Sequence, residues 1–268
     1  MATHDVTFTG SIPDMYDRYM VPLVFAPYAK LVGERSAALV PRRILETAAG
    51  TGVVTEALHR SLRNAEIVAT DLNQPMLDQA ARRVRSPLVQ FQFADALSLP
   101  FDDDSFDLVV CQFGVMFFPD KVRGHAEARR VLRDGGHYLV VIWDHVDFNL
   151  ATKVAGRAVS DLFPGETGRF YERVPFRYHD KGQIRRDLET AGYKQIEIET
   201  VELESRASSA RDAAIALVQG TPMRADIEEV APGMLEAATD VAARALTRFE
   251  GIDGFEAPMS AHLVIATK

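Results

Sequence analysis

The run Arg43-Ile44-Leu45-Glu46-Thr47-Ala48-Ala49-Gly50-Thr51-Gly52-Val53 constrains this chain more than any other stretch, because it reads as a strand, a turn of small residues and the start of a helix. Ile44 and Leu45 supply the buried part of the strand. Beyond Gly52, the residues Val53, Val54, Ala57, Leu58 and Leu62 recur at helical spacing. A turn without side-chain bulk that feeds a helix N-terminus leaves backbone N–H groups open to a ligand and favours negative groups there. Small-residue turns also arise wherever a strand packs closely on a helix, so the turn alone is a weak sign. Asp71 strengthens it. It ends the apolar run that starts at Ala65, about 20 residues past the glycines, where an acidic side chain can hold both hydroxyls of a ribose.

The pattern then repeats. Asn73 is placed to cap a helix with Pro75 in its first turn and Met76, Leu77 and Ala80 on its apolar face; Arg82, Arg83 and Arg85 close it, where cations complement the helix dipole. Leu88-Val89-Gln90-Phe91-Gln92-Phe93 alternates as a third strand that ends at Asp95. The acidic turn Asp102-Asp103-Asp104 lacks the glycine and closing glutamate of a calcium loop, so no metal site is expected. Residues 106 to 113 are almost continuously apolar, as in a central parallel strand covered on both faces, which makes Cys111 an inert core thiol. A helix from Asp120 is expected to stop at Gly135-Gly136, ahead of a fifth strand from His137 to Trp143. Four strand-helix crossovers in a row require a parallel sheet, whose ligands bind beyond the C-terminal strand ends. Those ends are residues 46 to 52, Asp71, Asp95, Gln112 with Phe113, and Trp143 with Asp144 and His145.

The flanks are less regular. Residues 1 to 10 are polar; from Ser11 to Asp14 a helix start is expected, and Pro22 and Pro27 divide the arm into two short helices with a bend. The aromatic load of this arm suits either docking by hydrophobic burial or a lid over a pocket. Residues 147 to 179 mix a helix with Pro164, Gly165 and Pro175. Asp180 is placed to cap a helix that ends at Ala191-Gly192, and residues 194 to 201 alternate strictly as a strand with one wet face. Residues 205 to 250 are Ala-rich and helical, broken near 220–222 and 232–233, and 261–267 form a last strand. With no repeat or low-complexity linker, the expectation is one domain over 1–268: an arm or lid at 1–35, a ligand-binding core at 40–145, and cap segments at 146–180 and 205–250.

At 268 residues and 47% hydrophobic content the chain can bury a sizeable core. Its net charge of −8 repels phosphate backbones, so nucleic acid is not an expected partner. A lone cysteine and a start without the plan of a secretory signal point to a reducing cytoplasm. No apolar run approaches the ~18 residues that cross a bilayer. Oligomeric state is not written in the sequence.

Taken in order, these pieces resemble the class I S-adenosylmethionine-dependent methyltransferases, in the branch of the ubiquinone and menaquinone C-methylases. The resemblance covers roughly 40 to 145. It rests on Leu45-Glu46-Thr47-Ala48-Ala49-Gly50-Thr51-Gly52, Thr70-Asp71-Leu72-Asn73 with Met76-Leu77, Ala94-Asp95-Ala96, Leu99-Pro100-Phe101 with Ser105-Phe106-Asp107, and Arg130-Val131-Leu132-Arg133-Asp134-Gly135-Gly136. Ala48 stands where many members carry glycine, and Asp134 where many carry proline.

The resemblance implies an α/β, Rossmann-like fold: a seven-stranded, mostly parallel sheet with helices on both faces, an antiparallel last strand and a helical cap. It implies S-adenosylmethionine as cofactor, S-adenosylhomocysteine as its product and a small-molecule methyl acceptor. By the family's pattern Glu46, Thr47, Ala48, Gly50 and Gly52 hold the methionine end. Asp71 holds the ribose, Leu72 and Met76 the adenine faces, and Asp95, Ala96 and Leu97 the adenine edge; Gln112 and Phe113 with Tyr19 complete the set.

Methyl transfer from a sulfonium is an in-line displacement, for which positioning the nucleophile supplies much of the catalysis. Where the acceptor carries a proton, His145 is the candidate base by its place after the fifth strand. Tyr16, Phe25, Phe117 and Trp143 are candidate walls of an acceptor pocket. A nicotinamide-dependent oxidoreductase is a remote alternative, since its pattern puts glycine where this chain has Thr55. A non-catalytic module that binds an S-adenosyl ligand is the other alternative.

Overall fold

The computed structural model describes residues 12–163 and 169–268. The expectations for residues 1 to 10, Ser11, Pro164 and Gly165 lie outside the described residues. In chain order the elements are α1 (Ile12–Met15), a π-helical stretch (Tyr16–Phe25), α2 (Ala26–Ala38), β1 (Arg43–Thr47), α3 (Val53–Ser61), β2 (Glu66–Asp71), α4 (Gln74–Arg83), β3 (Val89–Phe93) and β4 (Phe106–Gln112). Next come α5 (Lys121–Val131), β5 (Leu132–Trp143), α6 (Leu150–Leu162), α7 (Phe170–Arg173), α8 (Lys181–Thr190) and β6 (Gln195–Ala207). The last elements are α9 (Ala210–Ala214), α10 (Met223–Val230), α11 (Leu235–Leu246), β7 (Glu250–Gly251) and β8 (Gly254–Thr267).

The sheet runs in the order β3-β2-β1-β4-β5-β8-β6, with the two-residue β7 paired on β8. β1, β2, β3, β4 and β5 pair in parallel, and β8 returns antiparallel against β5 with Trp143 opposite Ala261. The fold is therefore the mixed α/β sheet expected, mostly parallel with an antiparallel last strand. Ile44, Leu45, Leu108, Val109, Val110 and Leu139 are fully buried, as central strands covered on both faces demand. Truncating one of these leucines to alanine costs about 2–5 kcal/mol.

Two compact units divide the chain. One comprises Tyr28–Trp143, Tyr178–Val201 and Ala261–Lys268 and contains the parallel strands. The other comprises Asp144–Arg177, Glu202–Ser260 and the described residues up to Pro27. In this helical unit α11 packs on α6 and α9 through small residues, among them Ala151, Ala155, Ala213, Ala238 and Ala242. Its polar ties include Tyr171, whose hydroxyl donates to the Leu217 carbonyl at 2.6 Å, and Arg173, paired with Asp226 at 3.0 Å. Asn149 and Ser260 exchange two hydrogen bonds of 3.1 Å.

Four local expectations change. Pro22 does not divide the arm into two helices, because the chain from Tyr16 widens into i to i+5 bonding, with Ala26 N–H donating to the Val21 carbonyl. α5 ends at Val131 rather than at the glycines, because Leu132 is already extended and pairs with Phe106. Gly135 instead adopts φ 75° within β5. β6 and β8 run longer than the alternation suggested, to Ala207 and from Gly254. No helix among the described residues is long and apolar enough to cross a membrane.

Candidate functional site

The turn after β1 is built from left-handed backbone. Ala48 has φ 55°, Gly50 φ 56° and Gly52 φ 83°, so three of five consecutive residues occupy a region that glycine enters freely and alanine does not. Gly52 is also held by space: a Cβ there would stand 2.8 Å from the Ala80 Cβ of α4. The next loop closes on this one, since a Cβ on Gly114 would stand 2.4 Å from the Ala48 Cβ. Phe113, the residue between β4 and Gly114, is left-handed as well, with φ 55°. Such outliers cluster where a fold holds its backbone for a purpose other than stability.

Two carboxyls face this turn. Asp71, at the end of β2, accepts the Gly50 backbone N–H on Oδ2 at 2.9 Å and the Asn73 backbone N–H on Oδ1 at 2.8 Å; the Asn73 side-chain amide adds a bond of 3.2 Å. Burial pushes the Asp71 carboxyl up from its ordinary value against the pull of those bonds. Glu46, inside β1 and 2% exposed, takes the Thr55 hydroxyl on Oε2 at 2.6 Å. Burial pushes its carboxyl up to about 8, and the neighbouring Asp71 charge pushes the same way. Each group keeps acceptor capacity, because a carboxylate offers about four lone-pair sites.

Beyond Asp71 the surface turns apolar. Leu72 is 55% exposed and Met76, in the first turn of α4, is buried, two apolar side chains of the kind that hold a flat ring. Asp95 follows β3, and its Oδ1 accepts the Leu97 N–H at 2.9 Å, which shapes the Asp95-Ala96-Leu97 turn. Gln112 is buried at the end of β4, and Phe113 donates its backbone N–H to the Val141 carbonyl at 2.9 Å. The Phe113 ring stacks on Trp143 at 3.7 Å between centroids, with Tyr28 edge-on to both. Phe117 closes the short 3-10 turn after Gly114 and is half-buried. Cys111 is buried beneath, its thiol pushed up to about 11 and so inert.

The expected residues from Glu46 to Trp143 thus lie on strand ends, in the segments just beyond them or, for Met76, in the first turn of α4, within one compact unit. Tyr16, Tyr19, Phe25 and His145 belong to the helical unit. There Tyr16 stacks on Phe25 at 5.1 Å, and Tyr19 lies beside the Arg18 guanidinium. The His145 Nδ1 accepts the Asp147 backbone N–H at 3.2 Å, and the His145 backbone N–H donates to Asp144 Oδ1 at 2.7 Å. The helical unit also holds an open cavity of about 760 Å³ lined by Phe148, Leu150, Glu202, Leu203, Glu204 and Met259 among others, none of them a site residue expected from the sequence.

Three contributors escaped the sequence. Thr55 read only as the position where a nicotinamide pattern would need glycine; its hydroxyl is the partner of Glu46. Asn73 read as a cap, yet its side chain caps nothing and turns to Asp71. Arg83 read as a solvated helix end, and it donates to the Thr51 carbonyl at 3.0 Å and pairs with Glu56 at 3.1 Å, bracing the turn.

The donor and acceptor set suits an S-adenosyl ligand: carboxyls for an ammonium and a ribose, a bulk-free turn between them, and apolar slabs for a base. Residues 44–136 match the family described as "Methyltransferase domain". The demethylmenaquinone methyltransferase of Deinococcus radiodurans is 35% identical over 130 residues, 48% of this chain and 54% of that protein. The ubiquinone/menaquinone biosynthesis C-methyltransferase UbiE of Proteus mirabilis is 28% identical over 58% of this chain and 67% of its own. The chain thus matches about half the length of the Deinococcus relative. Among solved structures, a putative methyltransferase from Bacillus halodurans shares the fold at a TM-score of 0.59, with 20% identity over 89% of this chain and 98% of that one. By its core, residues 44–136, the chain resembles the class I S-adenosylmethionine-dependent methyltransferases of the UbiE-like branch.

Proposed function

We propose that this protein transfers a methyl group from S-adenosylmethionine to a small-molecule acceptor. The observation that carries the reading is the pair of buried carboxyls at one left-handed turn: Asp71 bonded to Gly50, and Glu46 with no cationic side chain paired to it among the described residues. Desolvated acids without a protein cation favour a ligand that brings its own positive charge.

In this reading Glu46 receives the ammonium of the methionine moiety, with Thr47, Ala48, Gly50 and Gly52 framing that end and the Gln112 backbone beside it. Asp71 accepts the ribose hydroxyls, Leu72 and Met76 hold the base, and Asp95 with Ala96 and Leu97 takes its amino edge. When bound, the cofactor supplies a sulfonium-activated methyl group. The chain's own contribution is to hold that group and an acceptor in line. Relatives named for menaquinone methylation favour an electron-rich ring carbon as acceptor over a hydroxyl or an amine. Phe117 and Trp143 are the proposed acceptor contacts of the same unit, and Tyr16, Tyr19, Phe25 and, as base, His145 are the proposed contributions of the helical unit.

Thermal unfolding tests the cofactor. Millimolar S-adenosylhomocysteine should raise the Tm by several degrees, and NAD should leave it in place. Release of S-adenosylhomocysteine over a panel of reduced quinols, phenols and amines then tests the acceptor. Tight binding with no turnover on any of them would leave a binding module instead.

A further inference from the structure

Glu46 is a buried acid of the site that no cation among the described residues neutralises. From α3 it faces the Thr55 hydroxyl and backbone N–H, from β2 the Asp71 carboxyl, and from β4 the Cys111 thiol. None of these is a cation. Its Oε2 accepts the Thr55 hydroxyl at 2.6 Å, and the Thr55 backbone N–H is directed at the same carboxyl. Thr55 is itself fully buried in the first turn of α3, directly after the glycine turn, so its hydroxyl has little freedom to leave. Thr55 therefore supplies the hydrogen bonds that hold the carboxyl, and among the described residues no cationic side chain pairs with it.

Resting on the cofactor reading above, we propose that Thr55 is a positioning residue: its hydroxyl orients Glu46 for the ligand's ammonium, whose arrival expels the proton of the Glu46 carboxyl to solvent. The proton balance is simple. The free site holds a neutral carboxyl at neutral pH, the bound site holds a carboxylate against an ammonium, and one proton goes to buffer. The burial that raises the Glu46 carboxyl supports this, as does the absence of a compensating cation.

Calorimetry with two ligands tests it. S-adenosylhomocysteine carries the ammonium; 5′-deoxy-5′-methylthioadenosine keeps the nucleoside and thioether and lacks it. At neutral pH, titrations in buffers of different ionisation enthalpy should show close to one proton released with the first ligand and none with the second. Affinity for S-adenosylhomocysteine should rise by up to about tenfold per pH unit until about pH 8, while affinity for the thioether stays flat.

Thr55→Val should weaken S-adenosylhomocysteine by about tenfold and move the pH midpoint upward, because the hydroxyl that favours the carboxylate is gone; Thr55→Ser should restore both. The thioether should bind all three proteins alike. Binding of S-adenosylhomocysteine to the unaltered protein without proton release overturns the proposal and leaves the cofactor reading standing. Equal weakening of both ligands by Thr55→Val overturns the positioning role in the same way. Failure of both ligands to bind the unaltered protein overturns the cofactor reading itself. If Thr55→Val does not fold, the proton count on the unaltered protein decides alone.

Discussion

Asp71 accepts the backbone N–H of Gly50 at 2.9 Å, so the carboxylate at the end of β2 closes the turn after β1. Its other oxygen accepts the Asn73 N–H at 2.8 Å. Both oxygens face donors, and both residues that bring those donors belong to the candidate cofactor cradle. The side chain proposed to hold the ribose thus also builds the turn.

Asp71→Asn separates these demands. An amide has one accepting oxygen, so its NH₂ must face either the Gly50 or the Asn73 N–H, donor against donor. We expect a loss of about 1–3 kcal/mol in urea unfolding together with weaker binding of S-adenosylhomocysteine. An unchanged unfolding midpoint would mean that the turn does not depend on this carboxylate.

Ala48 and Gly114 make a coupled pair. Ala48→Gly should be neutral to stabilising by about 1 kcal/mol, because the left-handed strain and the flexibility of glycine oppose each other. Gly114→Ala should destabilise, since its Cβ would meet that of Ala48 at 2.4 Å. In the double variant that clash partner is absent, so the loss should be smaller than the sum of the single effects by more than about 0.5 kcal/mol. Additive unfolding energies would show that the two loops relax independently.

The supersecondary pattern was legible because its signals are local. Strand, small turn and helix succeed one another within ten residues at β1, and the apolar run of β4 announces a strand covered on both faces. What stayed hidden depends on partners distant in sequence. Leu132 is extended because Phe106 pairs with it, and nothing near the Gly135-Gly136 signal reports that. The first half of β8 contains Pro258, a residue that is unfavourable within a sheet, yet Phe255, Ala257 and Met259 alternate inward on either side of it. Thr55 on Glu46 is a bond across a turn whose geometry only left-handed backbone creates. The residue types of the site were readable; the bonds among them were not.

His145 offers a test of the base role. With Nδ1 accepting from Asp147, the neutral ring carries its proton on Nε2, so taking a proton from an acceptor requires that bond to be released. His145→Gln should lower kcat at least tenfold and flatten its pH profile if the ring is the base. A variant with unchanged kcat and unchanged pH profile would return His145 to its place as a loop anchor.

Stability against pH should carry two opposed slopes. Glu46 is raised from 4.5 to about 8 by burial, so between these values the folded chain holds a proton that the unfolded chain has lost. Stability therefore falls as pH rises through that window, by up to about 1.4 kcal/mol per unit. His125 does the reverse. It is fully buried, its Nε2 lies 3.3 Å from the Tyr178 hydroxyl, which itself donates to Asp187, and its Nδ1 has no hydrogen-bond partner among the described residues. Burial and the nearby Lys121 charge push it down to about 3, so below 6.5 the unfolded chain takes up a proton that the folded chain refuses. Stability is lost as pH falls from 6.5 towards 3. Between 4.5 and 6.5 the two slopes offset each other, and the ligand-free protein should be most stable there. In urea unfolding, Glu46→Gln should remove the decline above 6.5 and let the acid limb set in at about 6.5 instead of about 4.5, whereas His125→Gln should soften the acid limb and let the decline with rising pH start at about 4.5. If Glu46→Gln tracked the unaltered protein up to pH 8, the carboxyl would be ionised in the free site, and the proton coupling inferred for the ligand would have no source.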